Sequence, residues 1–256
     1  MPKTILQHDE VGHTDEATKE LRQHLPELKL SSKPTRLMKH LLSIANVGSN
    51  DIVLDCYAGT GAMGEAIFAL ESEGEKVPSF ILVEFPEKLE GKKLTLSQAM
   101  LQRLASNTER KAKTLLGFRT FKLGPSSFER WDGSVAHEED LIGRVDGHVQ
   151  HLKGFENQED LFFELLVSAG FSLATKYESI EVAGRKVFSV EEGSLLICLE
   201  KEITAELIDA LAAANPLQVI CLDEGFKGND QLKANAVQTF KARAQAEESE
   251  IVFKTV

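Results

Sequence analysis

The residues with the most chemical content fall in one run, Ile52-Val53-Leu54-Asp55-Cys56-Tyr57-Ala58-Gly59-Thr60-Gly61-Ala62-Met63-Gly64-Glu65. Branched apolar residues lead into an aspartate, then a small-residue loop, then a helix-compatible segment. This punctuation predicts a buried strand turning sharply into a helix whose N-terminus faces a ligand. Glycines permit both the tight turn and the close approach of a ligand. Exposed amides and the helix dipole then attract an anionic group. A strand-to-helix turn without a ligand is the alternative.

Two cofactor classes fit this loop. Gly59, Gly61 and Gly64 have the G-x-G-x-x-G spacing of a dinucleotide site, and Glu84 ends the next apolar run at about the distance of a ribose partner. Asp55, four positions before Gly59, separates the two classes. A carboxylate there repels a pyrophosphate. It suits a ligand that presents a cationic amine and a sulfonium, as S-adenosylmethionine does. The residues therefore favour S-adenosylmethionine over a nicotinamide or flavin dinucleotide.

The elements that must position this loop can be read along the chain. A helical pattern runs from Thr14 to Leu25, and Lys33-Pro34 lies at the start of another helix whose stripe is Leu37, Leu41, Leu42 and Ile44. Strands are expected at Ile52–Asp55 and Phe80–Glu84, parallel and joined by a helix over Ala62–Leu70. A helix is expected over 94–116, and the alternating Phe118–Leu123 reads as a further strand. Beyond it the pattern dissolves. Residues 131–154 hold the single tryptophan, an acidic run and His148-x-x-His151, which has no third ligand nearby to make a metal site.

Periodicity resumes at Asn157, a cap for a helix that stops at Gly170. A hairpin over 180–188, strands at Leu195–Leu199 and Leu217–Leu222, a helix capped by Thr204 and a final strand at Ile251–Phe253 complete an α/β domain. The polar stretch Asp223–Asp230 reads as a strand-to-helix connection, with a ligand site at the strand end as the alternative. The expected organisation is a nucleotide-cofactor part over 1–130, connecting loops over 131–154 and a small α/β domain over 155–256.

Composition bounds the function. A hydrophobic content of 42% and a charged content of 27% are those of a globular protein, and no apolar run reaches the ~20 residues of a membrane span. A net charge of −11 opposes electrostatic coating of nucleic acid. Residues 88–122 are the most basic part, readable as a solvated helix surface or as a phosphate-binding patch. Cys56, Cys198 and Cys221 are far apart and read as reduced core thiols, which with the absence of a secretory core points to the cytoplasm.

Taken together, the segments resemble the C-terminal part of the modification subunit of type III restriction–modification systems, which are β-group, adenine-specific DNA methyltransferases. The resemblance rests on Thr14-Asp15-Glu16-Ala17-Thr18-Lys19-Glu20-Leu21, Lys33-Pro34-Thr35-Arg36-Leu37, Val53 to Gly61, Phe80 to Glu84, and Leu222 to Lys233 with Phe240-Lys241, in that order along nearly the whole chain. It implies an α/β fold: a partial, Rossmann-like methyltransferase sheet followed by a small C-terminal α/β domain. Lys33 and Pro34 are then implied to hold the carboxylate end of S-adenosylmethionine. Asp55 would meet its amino group, and Tyr57, Ala58, Gly59, Thr60 and Gly61 would wrap its methionine portion. Glu84 stands where such enzymes place a ribose ligand, although the type III pattern more often has glutamine there. Tyr57 replaces the usual phenylalanine and Ala62-Met63 the usual paired threonines.

One family element is absent. These enzymes hold the flipped adenine with an Asp/Asn-Pro-Pro-aromatic loop, and the seven prolines here, at 2, 26, 34, 78, 86, 125 and 216, are all isolated. In this group the catalytic and target-recognition parts precede the cofactor motifs. The chain is thus expected to carry no catalytic residue of its own, and to act on DNA only with a chain that supplies those parts, with the restriction subunit as a further partner. An exposed apolar sheet edge is expected as a consequence. The alternative is a truncated remnant or docking module without catalysis.

Overall fold

The computed structural model describes residues 5–110, 117–128, 152 and 157–256. They form two compact units, Met1–Phe118 and Arg119–Val256, with a small parallel sheet in the first and a mixed sheet in the second. The class is α/β. Sequence features assigned to 131–154, including Trp131, His148 and His151, lie outside the described residues apart from Leu152.

In the first unit, short helix α1 (His8–Val11) precedes α2 (Thr14–His24) and α3 (Thr35–Ile44). Strand β1 (Ile52–Asp55) then leads through the glycine loop into α4 (Ala62–Ser72), and β2 (Ser79–Leu82) leads to α5 (Leu96–Arg110). The two strands pair in parallel, Leu54 opposite Ile81 and Asp55 opposite Leu82, as the strand–helix–strand reading required. Side chains alternate across the pair, so its faces differ. Phe80 and Leu82 pack with Phe68 of α4 and with Met100 and Leu104 of α5, Phe68 meeting Phe80 edge-on at 5.8 Å between ring centroids. The opposite face carries Ile52, Leu54, Ile81 and Val83 and is open to solvent, with Leu54 59% and Ile81 51% exposed. Phe85 continues the bare stripe. Parallel strands normally have both faces covered, and two strands alone are too few for an independent sheet.

The segment expected as a strand at Phe118–Leu123 pairs with no strand among the described residues and is not a strand. Phe118 instead packs its ring on Phe68 at 6.4 Å, while Leu123 is fully exposed. Alternation alone cannot make a strand; it needs a neighbour to accept its ladder.

The second unit is a three-layer sandwich. Its sheet has the order β3-β4-β5-β6-β7, namely Tyr177–Val182, Arg185–Val190, Leu195–Cys198, Gln218–Cys221 and Val252–Thr255. The first two pairings are antiparallel and the last two parallel. Ala183 and Gly184, both at positive φ (48° and 73°), close the β3–β4 hairpin with the two-residue turn whose twist suits the strands. Helix α6 (Gln158–Ser168), capped by Asn157, covers one face through Leu161, Phe162, Leu165 and Leu166. On the other face lie α7 (Ala205–Ala213), capped by Thr204, and α8 (Asp230–Ala246), capped by Asn229, which bury Leu207, Leu211 and Phe240 against Val187, Leu196 and Val219. Asp223–Phe226 forms a 3-10 turn between β6 and α8, so the 223–230 stretch is the strand-to-helix connection.

Cys198 and Cys221 are register partners in this core and are buried, unlinked thiols. Burial pushes both thiols up from their usual range, Cys221 most strongly, which keeps them protonated and inert. Cys56 departs from the expectation of a core thiol. It is exposed, because the chain has already left β1 for the loop.

Gly225 is tightly enclosed in this unit. A Cβ there would sit 2.5 Å from the backbone oxygen of Glu200 and 2.9 Å from Ile203 Cγ1. Gly225→Ala is therefore expected to destabilise the C-terminal unit by about 1–3 kcal/mol, since backbone must move. Urea unfolding followed by far-UV circular dichroism measures it, and an unchanged midpoint would contradict this packing.

Candidate functional site: a glycine loop braced by buried charges

The loop between β1 and α4 has the backbone that its glycines allow. Gly59 and Gly61 have φ of 57° and 80°, and Gly61 stands at the N-cap of α4. The loop is held from three sides: Ala58 N donates to Val83 O at 3.1 Å, Gly61 N to Ala58 O at 2.8 Å, and Gly59 N to the Glu84 carboxylate. Glu84 also accepts from Phe85 N at 3.0 Å. The carboxylates of Asp55 and Glu84 thus stand at the C-terminal ends of two neighbouring parallel strands, where α/β folds bind ligands. Asp55 accepts from Tyr57 N at 3.1 Å and is half-buried, whereas the Tyr57 ring is 91% exposed.

The anion expected at the loop amides meets an occupied position. Glu84 of the same chain fills the acceptor role at Gly59, and with Asp55 it gives the loop a negative character. That arrangement disfavours a pyrophosphate and accommodates a cationic group.

Lys33 and Pro34 follow a residue that touches this loop. Pro34 is buried at the N-cap of α3 and Lys33 is exposed beside it. Their neighbour Ser32 meets Thr60 of the glycine loop, hydroxyl to hydroxyl, at 2.9 Å. Helix α2 braces this wall. The Glu20 carboxylate accepts from Thr35 N and Oγ1, both at 2.9 Å, and satisfies the first turn of α3. Glu16 takes the Arg36 fork with two contacts of 2.7 Å. The Arg36 hydrogen bond is the main reason that the half-buried Glu16 carboxyl lies below its ordinary range. Ala58, Thr60 and Gly61 are buried in the loop and Gly59 is half-buried.

Sequence reasoning missed the group beneath the loop. Arg103 of α5 is fully buried; its Nε donates to Glu65 of α4, and its Nη1 reaches Ser32 Oγ and Thr60 Oγ1 at 3.0 Å each and Thr60 O at 3.2 Å. The other Glu65 oxygen meets His24 Nε2 at 3.0 Å, and His24 Nδ1 meets Ser106 Oγ at 2.5 Å. Burial pushes the Glu65 carboxyl up, but the His24 hydrogen bond and the Arg103 charge outweigh it and leave the group below its usual value. The signal was present in the helix periodicity. Ala99, Arg103 and Asn107 are spaced i, i+4, i+8 beside Met100 and Leu104, so the arginine sits inside the buried stripe of α5. It therefore belongs to no basic surface patch. Arg119, from the same basic stretch, donates to Leu173 O and Thr175 O within the second unit.

No protein-family model matches the chain, and no curated protein matches it. Among the described residues no three His, Cys, Asp or Glu side chains gather as a metal site, and no helix is long and apolar enough to cross a membrane.

Proposed function

We propose that this chain is the cofactor-binding portion of an adenine-specific DNA methyltransferase of the type III restriction–modification kind, working with a second chain that supplies the catalytic loop and target recognition. The carrying observation is the Ser32–Thr60 hydrogen bond, which sets the Lys33-Pro34 wall against the glycine loop that follows Asp55. A lysine next to the residue that touches the loop, with carboxylates at the ends of both strands, matches a ligand whose amino-acid end is zwitterionic. S-adenosylmethionine is such a ligand, and it would supply the electrophilic methyl group.

The residues then divide the work. Lys33 attracts the ligand's carboxylate, and Pro34 fixes the entry to α3 so that this lysine stays at the loop. Asp55 accepts from the ligand's amino group, Tyr57 to Gly61 enclose the methionine portion, and Glu84 is available to a ribose hydroxyl from its seat on Gly59 N. Catalysis of this type depends on holding the two reacting atoms in line. This chain fixes one of them, and the partner chain fixes the adenine.

The bare β1–β2 face supports the need for a partner, since a complete sheet of this type is covered on both sides. The remnant reading is favoured only by the lack of a Pro-Pro pair. Titration calorimetry separates the two in part, because the remnant reading also allows cofactor binding. The folded chain is expected to bind S-adenosylmethionine and not NADH, and Asp55→Ala to weaken binding about 10- to 100-fold through loss of a charge-assisted hydrogen bond. A folded wild-type chain that takes up no S-adenosylmethionine would favour the remnant reading instead.

A further inference from the structure

We infer that Arg103 is a positioning residue that locks the two walls of the cofactor site into one cooperative unit. The inference rests on the S-adenosylmethionine reading for its purpose, but its structural content stands apart from any ligand. Three chain segments converge on one guanidinium: Ser32, adjoining Lys33-Pro34; Thr60, inside the glycine loop; and Glu65, in the first turn of α4. The Ser32 and Thr60 hydroxyls also bond each other at 2.9 Å, so Nη1 and the two hydroxyls close a triangle. All of these groups are buried or nearly so, Arg103 completely.

The chemistry explains the choice of arginine. Its planar fork directs Nε to one side and Nη1 to another, which lets a single cation pair with Glu65 and still span both walls. A lysine ammonium has no equivalent of this divided reach. Glu65 is itself fixed from its other oxygen by His24 of α2, the helix that also clamps Thr35 and Arg36 through Glu20 and Glu16. Loosening of the Lys33-Pro34 wall should therefore be felt at Thr60, and loosening of the loop at Ser32. A ligand that needs both walls meets them already aligned, which lowers the ordering cost of binding.

Hydrogen exchange by mass spectrometry on the whole chain tests this without any ligand. Arg103→Lys and Ser32→Ala are each expected to speed exchange about two- to tenfold in both 31–38 and 57–62, the effect of losing one or two hydrogen bonds. Exchange across 195–221 should not change, and Ser32→Thr, which keeps the hydroxyl, should restore wild-type protection. Ser32→Ala combined with Thr60→Val should exceed the larger single effect only slightly, because both remove the same link. Faster exchange confined to the mutated wall, or additive effects in the double variant, would overturn the coupling. If Arg103→Lys fails to fold, the Ser32 and Thr60 variants decide. Calorimetry of the same proteins keeps the two claims apart. Coupled exchange without S-adenosylmethionine binding by the wild type removes the proposed function and leaves the coupling. Binding with uncoupled exchange does the reverse.

Discussion

Glu65→Ala is expected to destabilise the N-terminal unit by about 3–5 kcal/mol, because it leaves a fully buried guanidinium without its counter-charge. Folded domains have only about 5–15 kcal/mol in hand, so the variant should be close to unfolded at room temperature. Exchange of the α4 and α5 amides reports the loss, and the C-terminal unit serves as an internal control. The double variant Glu65→Ala with Arg103→Met should recover much of the stability, since an apolar chain of similar length removes the orphaned charge. If the double variant is no better than the single one, the cost comes from lost packing around Glu65 and the ion-pair account is wrong.

The same pair sets a pH dependence. The Glu65 carboxyl lies below its ordinary value in the folded chain, so it favours folding whenever it is ionised in both states. Its contribution is fully present above the usual carboxylate range and is lost as the pH falls through the lowered folded value. Between neutral pH and about pH 3, the stability gap between wild type and Glu65→Gln should narrow. A gap that widened on acidification would reverse the sign assigned here.

How much of this was legible in advance depends on whether a feature is local. The β1–loop–α4–β2 unit announces itself, because branched residues, glycines and a second apolar run follow one another within about 30 positions. So do the Asn157 and Thr204 caps and the Ala183-Gly184 turn, each a property of a few adjacent residues. The Arg103 network is different in kind. Its bonded partners are 28 to 82 positions apart along the chain, and nothing in the spelling of Ser32 or His24 names a partner. Only the misplaced charge in the α5 stripe hinted at it. Phe118–Leu123 failed for the related reason that a strand is defined by its neighbour, and Cys56 because an apolar run says little about the residue that follows its end.

Under the proposed function, Leu54→Lys combined with Ile81→Glu is expected to abolish methyl transfer by the assembled enzyme while leaving this chain folded and able to bind S-adenosylmethionine. The two positions face each other across β1 and β2 on the bare side. Their new charges are opposite, so the pair does not repel itself. Exposed substitutions of this kind change stability by less than about 0.5 kcal/mol. If the proposed partner covers this face, two charges at its centre would cost about 2 kcal/mol or more each and weaken association by roughly a thousandfold. Sedimentation with a chain carrying an Asp-Pro-Pro-aromatic loop, together with transfer of labelled methyl groups to DNA, measures both effects. Wild-type activity in the double variant would show that the partner sits elsewhere.

The open side of that two-stranded sheet also bears on how long the chain survives. Apolar strand surface left uncovered draws chaperones and proteases and promotes aggregation. Under the proposed function, a copy that meets its partner is sealed and spared, and a copy that does not is removed. On that reading the steady amount of this chain follows the supply of the other one, and the ratio of the two is kept by disposal of the surplus, whatever their rates of synthesis.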